Sequence, residues 1–121
     1  FYNHGNVRME VSEAELLASW KDFFSTGTNW KDLEKEITYE EYRKISDKNH
    51  IQKIMKMPVH FLLKSGEEFF VKKDGAALAL RNEMEEIVKE PVLAEQMKDV
   101  IEYRAMDYYR RRYKEKIKAL L

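Results

Sequence analysis

The sequence predicts an α+β fold: five or six helices packed around a small two- or three-stranded antiparallel sheet, with a long C-terminal helix. Three observations carry that expectation. Two capping-box patterns, Ser12 with Glu15 and Thr38 with Glu41, open stretches of helical period in the first half of the chain. The period then changes to two short runs rich in Val, Phe and Leu, joined through Ser65-Gly66-Glu67. Finally, residues 91–121 read as one helix, opened by Pro91 at a position that suits proline's fixed φ and missing N–H.

The elements follow in order. Residues 1–10 show no clear period and read as an arm or loop. Behind Ser12, the side chains of Leu16, Leu17, Trp20, Phe23 and Phe24 fall on one narrow face, which makes residues 12–25 a main wall of the core. Residues 25–28 carry a stop signal around Gly27. A short helix over Trp30 to Ile37 comes next, then a third behind Thr38 with Tyr39, Tyr42 and Ile45 inward. Asp47 caps a fourth, carrying Ile51, Ile54 and Met55, and ending before Pro58. Val59 to Lys64 and Glu68 to Lys73 form a β-hairpin in which Leu62 faces Phe69 and Phe61 faces Phe70. Ala76 to Leu80 reads as a third strand rather than the start of a helix running to Lys89, because Asn82 with Glu85 resembles a fresh cap. The expected core is Leu16, Leu17, Trp20, Phe23, Phe24, Phe61, Leu62, Phe69, Val71, Met97, Val100 and Ile101.

The last helix has an apolar side that changes face midway. Leu93, Met97, Val100 and Ile101 make one stripe, and Met106, Tyr109, Tyr113, Ile117 and Leu120 make another. At about 100° per residue the two lie on roughly opposite sides. Either the helix breaks near Arg104 to Asp107, or its second half packs on something that the first half does not touch. Its charge divides in the same place. Residues 81–102 hold three basic and seven acidic side chains, and residues 104–121 hold seven basic and two acidic. Macrodipole matching favours such a gradient, but does not account for Arg110, Arg111 and Arg112 among Tyr108, Tyr109 and Tyr113.

Composition bounds the function. At 121 residues, 44% hydrophobic and 36% charged, the chain is the size of one globular α+β domain. Its 22 basic and 22 acidic residues balance, so it lacks the global charge signature of a nucleic-acid binder. No run approaches the roughly twenty apolar residues of a membrane span. The absence of cysteine excludes disulfides and thiolate chemistry and fits a cytoplasmic protein. A chain that opens on Phe1, with no signal-peptide pattern, reads as a domain excised from a larger protein. His4, His50 and His60 are scattered without metal-ligand spacing, and no phosphate-binding glycine loop or hydrolase elbow occurs, so no metal or cofactor is expected.

Three functional readings remain. In the first, the chain is a non-catalytic, accessory binding module of a larger, bacterial DNA- or RNA-processing protein. Arg110, Arg111, Arg112 and Lys114 contact phosphates, because guanidinium and ammonium groups beside stacking rings suit a nucleic-acid backbone. Helices followed by a hairpin are also the order of a winged helix, with Lys48, Gln52, Lys53 and Lys56 outward, so Lys48 and Lys53 join this set. In the second, the chain is a protein-interaction or oligomerisation domain. Met106, Tyr109, Tyr113, Ile117 and Leu120 then dock on a neighbouring domain of the parent protein or on a second copy. The third rests on Arg43 and His50, separated by six residues, a spacing that resembles that of some helical ribonucleases. There the arginine would hold phosphate and the histidine would move a proton.

Overall fold

The computed structural model describes residues 1–3 and 5–120 and, within them, every side chain except those of residue 3 and residues 115–120. The expected α+β architecture is present: five helices, a three-stranded antiparallel sheet and a long C-terminal helix. Two compact units are distinguished along the chain, one of Met9–Asn82 and one of residues 1–8 with the stretch from Glu83 onward.

The larger unit begins with strand β3 (Glu10–Val11), which follows two short strands of the other unit, and runs straight into helix α1 (Glu13–Ser25). Ser12 caps α1 as the sequence predicts. Its hydroxyl accepts from the Glu15 N–H at 3.1 Å, and its own N–H donates to the Glu15 carboxylate at 3.1 Å. Beyond α1, buried Asn29 donates its side-chain amide to the Phe23 carbonyl at 2.9 Å, closing the turn onto the helix. In place of the expected helix from Trp30 to Ile37 there is one 3-10 turn, Asn29–Asp32. Helix α2 (Tyr39–Arg43) opens on the Thr38–Glu41 capping box. Helix α3 (Asp47–Ile54) is capped by Ser46 rather than Asp47, the Ser46 hydroxyl accepting from the Asn49 N–H at 3.2 Å.

Residues 55–65 correct the sequence reading. Pro58 does not end the helix. Its missing N–H and bulky ring are absorbed by a widened π turn, Met55–Val59, and the chain continues as α4 (His60–Ser65). Val59 to Lys64 is therefore helical, and the expected hairpin, with its winged-helix order, is absent. The strand that does form, β4 (Phe70–Val71), pairs with β5 (Leu78–Leu80) in the register Phe70↔Leu80 and Val71↔Ala79. On its other edge β5 pairs with β3, Glu10↔Ala79 and Val11↔Leu78, so β5 is the central strand. Gly66 makes the passage from α4 to β4 feasible. A Cβ there would lie 2.8 Å from the Leu62 carbonyl oxygen and 2.9 Å from the Phe70 ring.

The core is smaller and differently composed than expected. Val11, Ile54, Val59, Ala77, Leu78, Ala79 and Leu80 are the buried apolar residues of this unit, with Leu78 and Ala79 each 1% exposed. Phe61, Leu62 and Phe69 lie at the surface instead, because the hairpin that would have sandwiched them does not form. The α1 face of Leu16, Leu17, Trp20 and Phe24 is half-buried and Phe23 is exposed. The Trp20 and Phe24 rings pack at a tilt of 56° with centroids 4.6 Å apart. Trp30, Tyr39 and Tyr42 form a second aromatic group nearby in sequence, with Tyr39 exposed.

In the other unit, residues 1–8 are not an irregular arm. β1 (Tyr2–Asn3) and β2 (Asn6–Val7) pair antiparallel around a tight turn in which Gly5 takes φ 87°, a conformation glycine adopts without strain. The expected helix from Asn82 to Lys89 is reduced to two 3-10 turns, Asn82–Met84 and Ile87–Lys89. β2 packs on the second turn, and β1 and that turn hold the start of α5 (Pro91–Leu120). Ala94 is buried there, with Leu93 and Met97 half-buried beside it. Val100 and Ile101, expected in the core, are exposed. The helix runs unbroken through Arg104 to Asp107. Among the described residues no helix is long and apolar enough to cross a membrane.

Candidate docking and phosphate-contact surface

Among the described side chains of α5, Ala94 near its start is the buried one. Leu93, Ala94 and Met97 face the packed side, and about 100° per residue puts Val92, Tyr103, Met106 and Tyr113 on roughly the opposite side. These four are the outward face, and they are 60%, 67%, 72% and 66% exposed. Tyr109 beside them is exposed as well. Of the stripe expected to dock, Met106, Tyr109 and Tyr113 are exposed, while the side chains of Ile117 and Leu120 lie outside the described residues. Tyr103 and Val92 were not anticipated. Their signal was present, since both fall on the face that Met106 and Tyr113 define.

The arginine triplet is organised by its own helix. Asp107, one turn earlier, accepts from Arg110 Nη2 at 3.0 Å and from Arg111 Nε at 2.9 Å. The Asp107 side chain is 15% exposed, and its carboxyl is held below the usual carboxylate range by Arg111 and then Arg110. The Arg111 guanidinium is correspondingly pushed above its ordinary value by Asp107. Arg112 donates to the Tyr108 hydroxyl at 2.9 Å, with its guanidinium 5.9 Å from the centre of the same ring. Lys114 is exposed. Spacings of three and four residues place each partner on the same helix face, so these pairs were readable from sequence.

The other two phosphate candidates sit on α3, in the larger unit. Lys48 is exposed. Lys53 is paired with Glu34 and lines an open cleft of about 450 Å³ together with Glu34, Glu41, Asn49, Gln52 and Lys56. That cleft mixes both signs of charge and is not a positive surface.

Arg43 and His50 are in different settings. Arg43 is exposed and lies 3.7 Å from Glu40. His50 is 3% exposed, and its Nδ1 accepts from the Trp20 indole N–H at 3.0 Å. An acceptor at Nδ1 means a neutral ring there. Burial, reinforced by Lys21, pushes the imidazole below its ordinary value and keeps it neutral. The Tyr42 ring packs edge-on against it, and Lys21 bridges α1 to Asp47 at 2.8 Å. Among the described residues no group of three or more His, Cys, Asp or Glu side chains could hold a metal ion; His4 lies outside them.

Comparison with protein-family models, with curated proteins and with solved structures finds no match to the chain.

Proposed function

We propose that this chain is a protein-interaction module that docks through the outward face of α5. The observation carrying that reading is the exposure of Tyr103, Met106 and Tyr113 on the side of the helix opposite its packed side. Contiguous exposed apolar surface with a polar rim marks an interaction site far more often than scattered single residues do. Large apolar and aromatic side chains gain about 1.5–3 kcal/mol each on full burial. That is more than solvent-exposed ion pairs usually contribute. Aromatic residues, Met and Arg are also the types enriched in interface centres.

A second reading keeps the same helix but a different chemistry: Arg110, Arg111, Arg112 and Lys114 grip nucleic-acid phosphates. Its support is the exposure of the Arg110 and Arg111 side chains, 62% and 68%. Against it stands Asp107, which already accepts from two of the three guanidinium groups and offsets part of their field. A phosphate must therefore displace or share an existing ion pair.

Photo-crosslinking separates the readings. A photoreactive residue is placed at Met106, at Tyr113 and, as a control, at Gln52, and the chain is irradiated alone, with mixed-sequence nucleic acid, and in extract of its source cells. Crosslinks to polypeptide from positions 106 and 113 but not 52 support docking. Crosslinks to nucleic acid alone, or none to polypeptide under any condition, overturn it.

A further inference from the structure

The outward face of α5 is self-complementary when a second copy of the helix runs antiparallel to it. On that face Val92, Gln96, Asp99, Tyr103, Met106, Arg110 and Tyr113 recur at steps of four and three, the spacing of a two-helix seam. Aligning a second helix in the opposite direction with Tyr103 across from Met106 sets Asp99 across from Arg110 and Gln96 across from Tyr113. One register thus matches an apolar pair, an ion pair and an amide–phenol pair, and two-fold symmetry repeats each of them.

Charge selects this arrangement over its rivals. The start of α5 up to Tyr103 carries Glu95, Asp99 and Glu102 against Lys98, whereas residues 104–121 carry seven basic and two acidic side chains. A parallel copy lays the basic halves along each other. An antiparallel copy shifted to overlap only the second halves does the same. Full antiparallel overlap alone brings each acidic half against a basic one. The neutral balance of the whole chain, 22 against 22, adds no overall repulsion to the encounter. Arg110 reaches the partner by turning away from Asp107, which keeps Arg111 as its counter-ion.

We infer that α5 pairs with α5 of a second copy as an antiparallel two-helix seam, with Asp99 of each copy facing Arg110 of the other. The inference rests on the docking reading and names its partner. It also reconciles the features that set this helix apart: an apolar stripe opposite the packed side, and charge segregated along the length.

The test is sedimentation equilibrium of the full chain over a wide concentration range, with circular dichroism confirming that each variant keeps its helix content. Asp99→Arg and Arg110→Asp are each expected to weaken dimerisation roughly tenfold or more by placing like charges face to face. Combined in one chain, they restore it. Within one helix, residues 99 and 110 are separated by about 16 Å of rise, too far to contact each other, so rescue reports a contact between copies. Direction is read by disulfide trapping, since the chain has no cysteine of its own. A mixture of Tyr103→Cys and Met106→Cys proteins yields the mixed disulfide in preference to either homodimer.

A dimer in which the double swap does not rescue, or in which each cysteine variant links to itself, overturns the inference. So does a monomer at every concentration. If that monomer still crosslinks another polypeptide through position 106 or 113, the docking reading survives and only the identity of the partner is wrong. If it crosslinks none, both fail.

Discussion

Two segments of this chain meet opposite fates. Leu78–Leu80 is flanked by β3 and β4 and is buried along its whole length. On α5 the larger side chains of Met106, Tyr109 and Tyr113 are exposed. Composition separates them in part, since Leu78–Leu80 is apolar throughout and residues 106–113 include Asp107 and three arginines, and hydrogen-bonded neighbours add to the difference. β5 has a ladder on both edges: the Ala77 N–H donates to Val11 at 2.8 Å, the Leu80 N–H to Met9 at 2.7 Å, and the register to β4 covers the other side. β1 and the second 3-10 turn pack on α5, in which Ala94 is buried and Tyr103, Met106 and Tyr113 are exposed. Burial follows the partners a segment can reach.

The sharpest way to break that comparison is at its buried end. Leu78→Ala is expected to destabilise the fold by about 2–5 kcal/mol, the usual range for a buried leucine truncated beside neighbours that cannot collapse. Urea denaturation measures it. Trp20→Phe comes next. It removes the donor to His50 Nδ1 and leaves a buried acceptor without its partner, at a cost of about 1–3 kcal/mol by the same assay.

His50 adds a pH dependence of smaller size. Its folded-state pKa is lowered below the ordinary 6.5, chiefly by burial, so the unfolded chain takes up the proton first. Its contribution is complete above about pH 6.5 and is lost as pH falls through the lower folded value. Tm should therefore fall from pH 7.5 toward pH 5.5, and fall less in a His50→Gln variant. Equal slopes in the two proteins would show that His50 does not carry the effect. At the exposed end of the comparison, Tyr113→Ser should leave stability within about 0.5 kcal/mol of wild type, as surface changes do. The same change should weaken association. A large loss of stability instead would mean that Tyr113 is already packed within its own chain.

What was legible in the sequence was what is decided locally. The boxes at Ser12 and Thr38 fixed the starts of α1 and α2 because the groups that satisfy the helix ends lie three residues apart. The start of α5 at Pro91 and the strand at Leu78–Leu80 were readable for similar reasons. Val59 to Lys64 was not. A short apolar run fits a buried strand or a helix equally in its periodicity, and Pro58 weighed toward a break that the π turn avoids. The core list failed with it, since Phe61, Leu62 and Phe69 were assigned to a hairpin with cover on both sides. The candidate surface divides likewise. The apolar stripe was visible at helical spacing, and so were the pairs of Arg110 and Arg111 with Asp107 and of Arg112 with Tyr108; what the letters did not show is that these pairs form, which weakens the phosphate reading.

On the docking reading, the outer part of α5 binds a partner outside its own chain. Amide hydrogen exchange tests it most directly, by comparing residues 98–114 with residues 91–97 from dilute to concentrated protein. The account predicts fast exchange over 98–114 in dilute protein, slower exchange over 91–97, and protection spreading along 98–114 as copies associate. Equal and concentration-independent protection of the two segments would mean that the helix is held along its length by its own chain, and would contradict the account.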